Sequence, residues 1–318
     1  DRPGLFHFTE HMLFLGTEKY PSSQAYGDYI TANGGSYNAY TSTENSNYYF
    51  SVNSESIEGA LDRFSQFFID PLFDETYVKR ELHAVESEHA KNAISEANRI
   101  LQVQKTTTDP RHPFNRFGTG NLETLSNNGA GKLMVLLREN FEKYYSSNVM
   151  NIGIVSNHSL DQLEQMIKKY FSAIKNKNVI VPKNNHSPYS PQFLKKRLEI
   201  KSLKKLQRLR VFFPIPNQRS NYKEKPASYI SRLLGYEGKN SLLSLLKSKN
   251  WANSLYAGGS ESGSDFDTFC IVIALTSNGL NHQDEIIEHI FQYIHLINKD
   301  GLKKFYFDEE QKLARIRF

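Results

Sequence analysis

One cysteine, one tryptophan and four methionines are all that this chain of 318 residues holds of those types. A single thiol excludes an internal disulfide framework and suits a reducing compartment. That residue, Cys270, lies in the apolar run Phe269-Cys270-Ile271-Val272-Ile273, where it reads as a small buried hydrophobe. No apolar run approaches ~18 residues, so a membrane span is not expected. Charge of one sign is not concentrated either. The 39 Lys and Arg exceed the 34 Asp and Glu by five, and the basic residues come in small groups such as Lys168-Lys169 and Lys195-Lys196-Arg197. Nucleic-acid binding would want a basic stripe interleaved with aromatics, or a familiar module, and neither occurs. A modestly basic surface helps to attract acidic peptides. What is present is a globular composition, 39% hydrophobic and 13% aromatic, in a chain long enough for about two domains.

Against that background one pentapeptide stands out, His7-Phe8-Thr9-Glu10-His11. Two histidines four apart fall on one helix face and can reach one cation. Glu10 directly precedes the second, the H-x-x-E-H order of the inverted zinc-peptidase signatures. Helical histidine pairs are also common as plain surface or core residues, so the motif needs a third ligand. Glu88 is the candidate. Asp74 is expected to cap one long helix from Glu75 to about Lys105, in which Glu81 and Glu88 lie two turns apart on one face. Glu86 is turned away from them. One carboxylate can bind metal while the other orients a ligand, although acids on a solvated helix face would show the same spacing. His83 and His89 are weaker candidates. Zinc in such a site lowers the pKa of its water towards ~7, and Glu10 is placed to take the proton as general base.

Further blocks follow in order: Gly35-Ser36-Tyr37-Asn38-Ala39-Tyr40-Thr41-Ser42, Asn47-Tyr48-Tyr49-Phe50, Ala84-Val85-Glu86-Ser87-Glu88-His89, Phe117-Gly118-Thr119-Gly120-Asn121 and Gly238-Lys239-Asn240-Ser241-Leu242-Leu243. With Gly4 to Pro21 they make the whole chain resemble the pitrilysin-type (inverzincin) zinc metallopeptidases, in the insulysin branch. The resemblance implies an α+β fold of tandem repeated α/β domains, each a mostly antiparallel sheet packed against helices. It implies zinc held by His7, His11 and Glu88, with Glu10 as catalytic base and Glu81 as the acid behind a ligand. Asn38 and Ala39 match edge-strand residues that bind the substrate backbone. Leu255, Gly258 and Gly259 match a strand that anchors substrate N-termini. The implied activity is endoproteolysis of small to medium peptides. The alternative is an inactive peptide-binding or structural member, or a fragment that needs a C-terminal half for activity, and the isolated chain is expected to be weakly active or inactive. A C-terminal half of the same protein is an expected partner, with a homo-oligomer as a further one and a cytoplasmic or organellar location. Thr9 stands where several relatives carry Cys, and Asn98 where they carry an aromatic.

The chain also reads as a repeat. An offset of 219 residues carries the first pattern of helix, strands and helices onto a second, and carries His7, Glu10 and His11 onto Pro226, Tyr229 and Ile230. The second copy is therefore expected to be non-catalytic. Domains are expected at 1–178, lacking its first strands, and 179–318, truncated at its C-terminus. Residues 176–192, with three prolines, read as the linker. Met150 to Val155 is expected as a buried strand.

Overall fold

A computed structural model of the chain describes residues 2–126, 129–261 and 263–317. Its first helix, α1 (Leu5–Leu13), buries Phe8, Met12 and Leu13 and leaves His7 and His11 half-buried. Next come α2 (Ala25–Ala32) and an antiparallel hairpin, β1 (Ser36–Thr41) and β2 (Ser46–Ser51), in register from Ser36↔Ser51 to Thr41↔Ser46. α3 (Ile57–Gln66) follows. α4 (Glu75–Ala93) begins at Asp74, whose carboxylate accepts the N–H groups of Thr76 and Tyr77.

The single helix expected from Glu75 to about Lys105 is two. Ser95 takes an extended backbone, φ −82° and ψ 118°, and α5 (Glu96–Thr106) starts after it. Serine competes for backbone hydrogen bonds and favours helix starts over helix interiors, so the run restarts there. Three more helices complete this part, α6 (Leu122–Ser126), α7 (Ala130–Tyr144) and α8 (Leu160–Phe171), the last entered through a capping box between Ser159 and Gln162. Met150 to Val155, expected as a buried strand, is neither strand nor buried: Val155 is 100% exposed and Ile152 47%. An apolar run becomes a strand only where a neighbour takes up its backbone groups, and among the described residues β1 and β2 pair only with each other.

One core ties α1, α2, α4 and α7 together. It joins Phe8, Met12 and Leu13 of α1 to Tyr26 and Ile30 of α2, Val78, Leu82 and Val85 of α4, and Leu133, Leu137 and Phe141 of α7. Each such side chain, fully buried, contributes roughly 1.5–3 kcal/mol. This packing positions the site. Val78, Leu82 and Val85 are spaced to form one apolar stripe on α4. Glu81 and Glu88 lie beside that stripe, as His7 and His11 lie beside the apolar stripe of α1.

The chain divides into two units, Asp1–Pro188 and Tyr189–Phe318. The division lies within the linker expected at residues 176–192. The segment before it bonds back to its own unit, where the Asn148 side chain donates to the Val179 carbonyl and the Pro188 carbonyl accepts from Asp109. The second unit contains β3 (Arg208–Pro216), α9 (Pro226–Leu234), α10 (Leu242–Ser248), β4 (Ala252–Glu261), β5 (Phe266–Leu275), α11 (Gln283–Asp300) and α12 (Lys304–Arg317). Its strands form an antiparallel sheet in the order β3-β5-β4. Leu255, Ile271 and Ile273 of the sheet pack with Leu242, Leu243 and Leu246 of α10 and Ile286 and Ile290 of α11. Helix α9, hairpin β4–β5 and α11 follow one another as α1, β1–β2 and α3 do. Both units are thus small antiparallel sheets packed with helices, an α+β fold. Among the described residues no helix is long and apolar enough to cross a membrane.

Candidate metal centre

Helices α1 and α4 bring three donor atoms to one point. His7 Nε2 and His11 Nε2 lie 3.2 Å apart, and Glu88 Oε2 stands 3.4 Å from the first and 3.6 Å from the second. The other nitrogen of each ring is already engaged. His7 Nδ1 meets the Thr119 carbonyl oxygen at 2.8 Å, and a carbonyl can only accept, so Nδ1 carries the proton and Nε2 a lone pair. His11 Nδ1 lies 2.8 Å from Glu81 Oε1 and donates to it. Lone pairs and a carboxylate oxygen converging this closely repel one another unless a cation lies among them. Tetrahedral zinc, with bonds of ~2.0–2.1 Å, sets its donor atoms about 3.3–3.4 Å apart. The triangle has that size, and its two imidazoles and one carboxylate are donors that suit zinc. Among the described residues this is the one cluster of three such side chains able to hold a metal ion.

The electrostatics agree. Burial alone would lower the His11 imidazole, but hydrogen bonds to Glu81 and Glu88 and the charges of Glu81 and Glu10 raise it to about 9. Glu88 is drawn below the usual carboxylate range by its bond to His11, against the opposing push of burial. The site holds an excess of negative charge and stabilises a cation.

The backbone around α1 is built for this. Gly4, φ 84°, and Gly120, φ 79°, approach so closely that a Cβ on Gly4 would stand 2.3 Å from the Gly120 Cα. Only glycine accepts both that backbone and that contact. The approach sets the Thr119 carbonyl against His7. On the buried side of α1, Thr9 Oγ1 donates to the Leu5 carbonyl and accepts from Asn140 Nδ2 of α7 at 3.0 Å. Glu10 is 6% exposed, and its Oε2 accepts a 2.5 Å bond from Thr41 Oγ1 at the end of β1.

The other acids divide as follows. Glu86 turns away, and its Oε2 accepts the Leu122 N–H at the start of α6. Glu88 Oε1 accepts at 3.5 Å from Asn92, which in turn accepts from Asn98 of α5 at 2.7 Å. His83 and His89 lie outside the triangle, the His89 ring packing against Phe117. Asn38 and Ala39 sit on β1, whose second edge has no partner strand among the described residues. The Ala39 N–H is held meanwhile by Asn38 Oδ1 at 2.9 Å. Leu255, Gly258 and Gly259 lie on β4 of the second unit, opposite Ile273, Cys270 and Phe269 of β5. The Leu255 side chain is buried there, and Gly259 lies against Ala227 of α9, 3.2 Å from where its Cβ would be. Three residues that shape the site carried no assigned role in the sequence: Thr41, Thr119 and Asn140. Thr41 and Thr119 fall inside the quoted blocks. Asn140 lies on α7, a helix the sequence left unassigned.

The family model described as Insulinase (Peptidase family M16) matches residues 1–111, and that described as Peptidase M16 inactive domain matches residues 136–313. Insulin-degrading enzyme from Homo sapiens is 45% identical over 318 residues, covering 99% of this chain and 31% of the relative. The A-factor-processing enzyme from Saccharomyces cerevisiae is 39% identical over 321 residues, covering 99% of this chain and 31% of the relative. The crystal structure of pitrilysin superposes with a TM-score of 0.87 at 30% identity, over 97% of this chain and 33% of that one. The chain thus spans about a third of the length of the relatives it matches. With both family models aligned along it and a pitrilysin-like fold, the chain belongs to the M16 (insulinase) peptidase family.

Proposed function

We propose that this chain carries the zinc centre of a metalloendopeptidase acting on small to medium peptides. The observation that supports it most is the triangle of two imidazole nitrogens and a carboxylate oxygen with edges of 3.2, 3.4 and 3.6 Å. His7, His11 and Glu88 would hold zinc, and Glu81 and the Thr119 carbonyl keep the two Nε2 lone pairs aimed at it. When bound, zinc supplies a water acidic enough to ionise near neutral pH and polarises the scissile carbonyl. The rest is work for the chain's own groups. Glu10 takes the proton of the attacking water and passes it to the departing amine, acting first as base and then as acid. The open edge of β1 adds an extended peptide as a further strand, with Asn38 releasing the Ala39 N–H to it. Peptides bound through their backbone are chosen by length and extension more than by side chain. Leu255, Gly258 and Gly259 are proposed to anchor a substrate N-terminus along β4 in the same backbone-directed way.

Metal content and peptide cleavage test this together. About one zinc per chain, lost in His11→Ala, is expected of the purified protein, with zinc-dependent cleavage of a quenched fluorescent peptide that is weak for this chain alone. Zinc bound with no cleavage of any extended peptide would favour the peptide-binding alternative. No zinc at all under reducing, chelator-free conditions would overturn the reading.

A further inference from the structure

Behind Glu10 runs a line of hydroxyls that the reaction does not consume. Thr41 Oγ1 lies 2.5 Å from Glu10 Oε2 and 2.8 Å from Ser46 Oγ. The Ser46 hydroxyl interacts with the phenols of Tyr48 and Tyr145, whose oxygens are 2.6 Å apart. Burial raises both phenols, Tyr145 to about 12, so both keep their protons. Direction follows from the end of the line. An ionised Glu10 carboxylate can only accept, so the Thr41 proton goes to it. Thr41 Oγ1 is then left to accept from the Ser46 hydroxyl. Each donor polarises the next, which strengthens the bond at Glu10.

The hairpin gives this line a second meaning. Thr41 and Ser46 are the last cross-strand pair of β1 and β2, and Ser42 N donates to the Asn45 carbonyl across the turn at 2.8 Å. Thr41 is two residues from Ala39 on the strand whose open edge is proposed to take the peptide. The strand that receives substrate and the carboxylate that receives the proton therefore share one side chain.

We infer that Thr41 is a positioning residue for Glu10, holding one carboxylate oxygen through the Thr41–Ser46 hydroxyl pair so that the other faces the attacking water and the base stays in register with the β1 edge. The inference rests on the peptidase reading above. Without the hydroxyl the carboxylate turns freely, and displacement of a catalytic group by ~1 Å costs about a hundredfold.

The test compares Thr41→Val, Thr41→Ser and Ser46→Ala with the unaltered protein. In Thr41→Val, kcat is expected to fall between about tenfold and a hundredfold, while KM stays within about twofold and zinc content and melting temperature hold. Thr41→Ser restores the hydroxyl and is expected to recover most of the rate, with Ser46→Ala in between. A second readout needs no turnover. The Thr41 hydroxyl proton, in a short bond to a buried carboxylate, is expected as a slowly exchanging downfield resonance in the metal-free protein, absent from Thr41→Val. Equal losses in Thr41→Val and Thr41→Ser, or no such resonance in the unaltered protein, overturn the inference. Retained turnover in Glu10→Gln would instead remove Glu10 from the role of base given to it above, and the hydroxyl resonance would still decide whether Thr41 holds the carboxylate.

Discussion

The Nε2 atoms of His7 and His11 face each other at 3.2 Å, while their Nδ1 partners are taken by the Thr119 carbonyl and Glu81. Only a cation relieves that contact, and a proton and a metal ion compete to be it. His11 is raised to about 9, so up to that pH the metal-free site holds a proton that zinc must expel. Zinc affinity is therefore expected to rise with pH, by about tenfold per unit, and to level off above ~9, with about one proton released per zinc. Titration calorimetry in buffers of different ionisation enthalpy measures that proton. The same sign governs stability. A folded pKa above the unfolded value favours the fold fully below pH 6.5, and the gain is lost as pH rises through about 9. Melting of the metal-free protein is expected to drop across that window, and zinc to abolish the drop.

Glu10→Gln keeps the shape and the bond from Thr41 but cannot take a proton. Zinc content is expected to be unchanged and kcat to fall by about 10²–10⁴-fold. Wild-type turnover in this variant would remove Glu10 from the role of base.

Glu88 and Glu81 are separated by what each touches. Glu88 Oε2 faces both Nε2 atoms, so Glu88→Ala is expected to lose zinc in dialysis. Glu81 touches only His11 Nδ1, so Glu81→Ala is expected to weaken zinc by about 10–100-fold and to lower activity more than zinc content at saturating metal. Equal zinc loss in the two would mean that the roles are misassigned.

Gly120→Ala tests the backbone support for His7. The added methyl would meet the Gly4 Cα at 2.9 Å and Leu125 at 3.0 Å, on a φ of 79° that alanine tolerates poorly. A loss of at least ~1 kcal/mol in stability is expected from the conformation alone, before the clash. Because the Thr119 carbonyl moves with it, zinc affinity is expected to fall too, read by competition with a chromogenic chelator.

Thiol reagents are expected to leave turnover and zinc untouched. Position 9 carries Thr, and Cys270 on β5 is the one thiol, half-buried, with burial pushing it up to about 11. Little thiolate forms at neutral pH, so labelling with N-ethylmaleimide is expected to be slow until the protein is unfolded. Rapid inactivation by the reagent would count against the assignment of both residues.

The residues of the triangle were legible in the sequence because a helix turns chain spacing into direction. His7 and His11 at i, i+4, and Glu81 and Glu88 at i, i+7, each share a face whatever the helix packs against. The cap at Asp74 was legible for the same reason, being local. Local spacing could not say that α1 meets α4 with those faces together. That depends on Phe8, Met12 and Leu13 finding Val78, Leu82 and Val85 across more than sixty residues of chain. It could not supply the Thr119 carbonyl, the Asn140 amide or the Thr41 hydroxyl, since any Thr or Asn can make such bonds and only proximity selects which do. Nor could it tell that Ser95 divides one helical run into two, or that Met150 to Val155 finds no strand beside it among the described residues. An apolar run states what a segment can bury, and its neighbours in space decide whether it does.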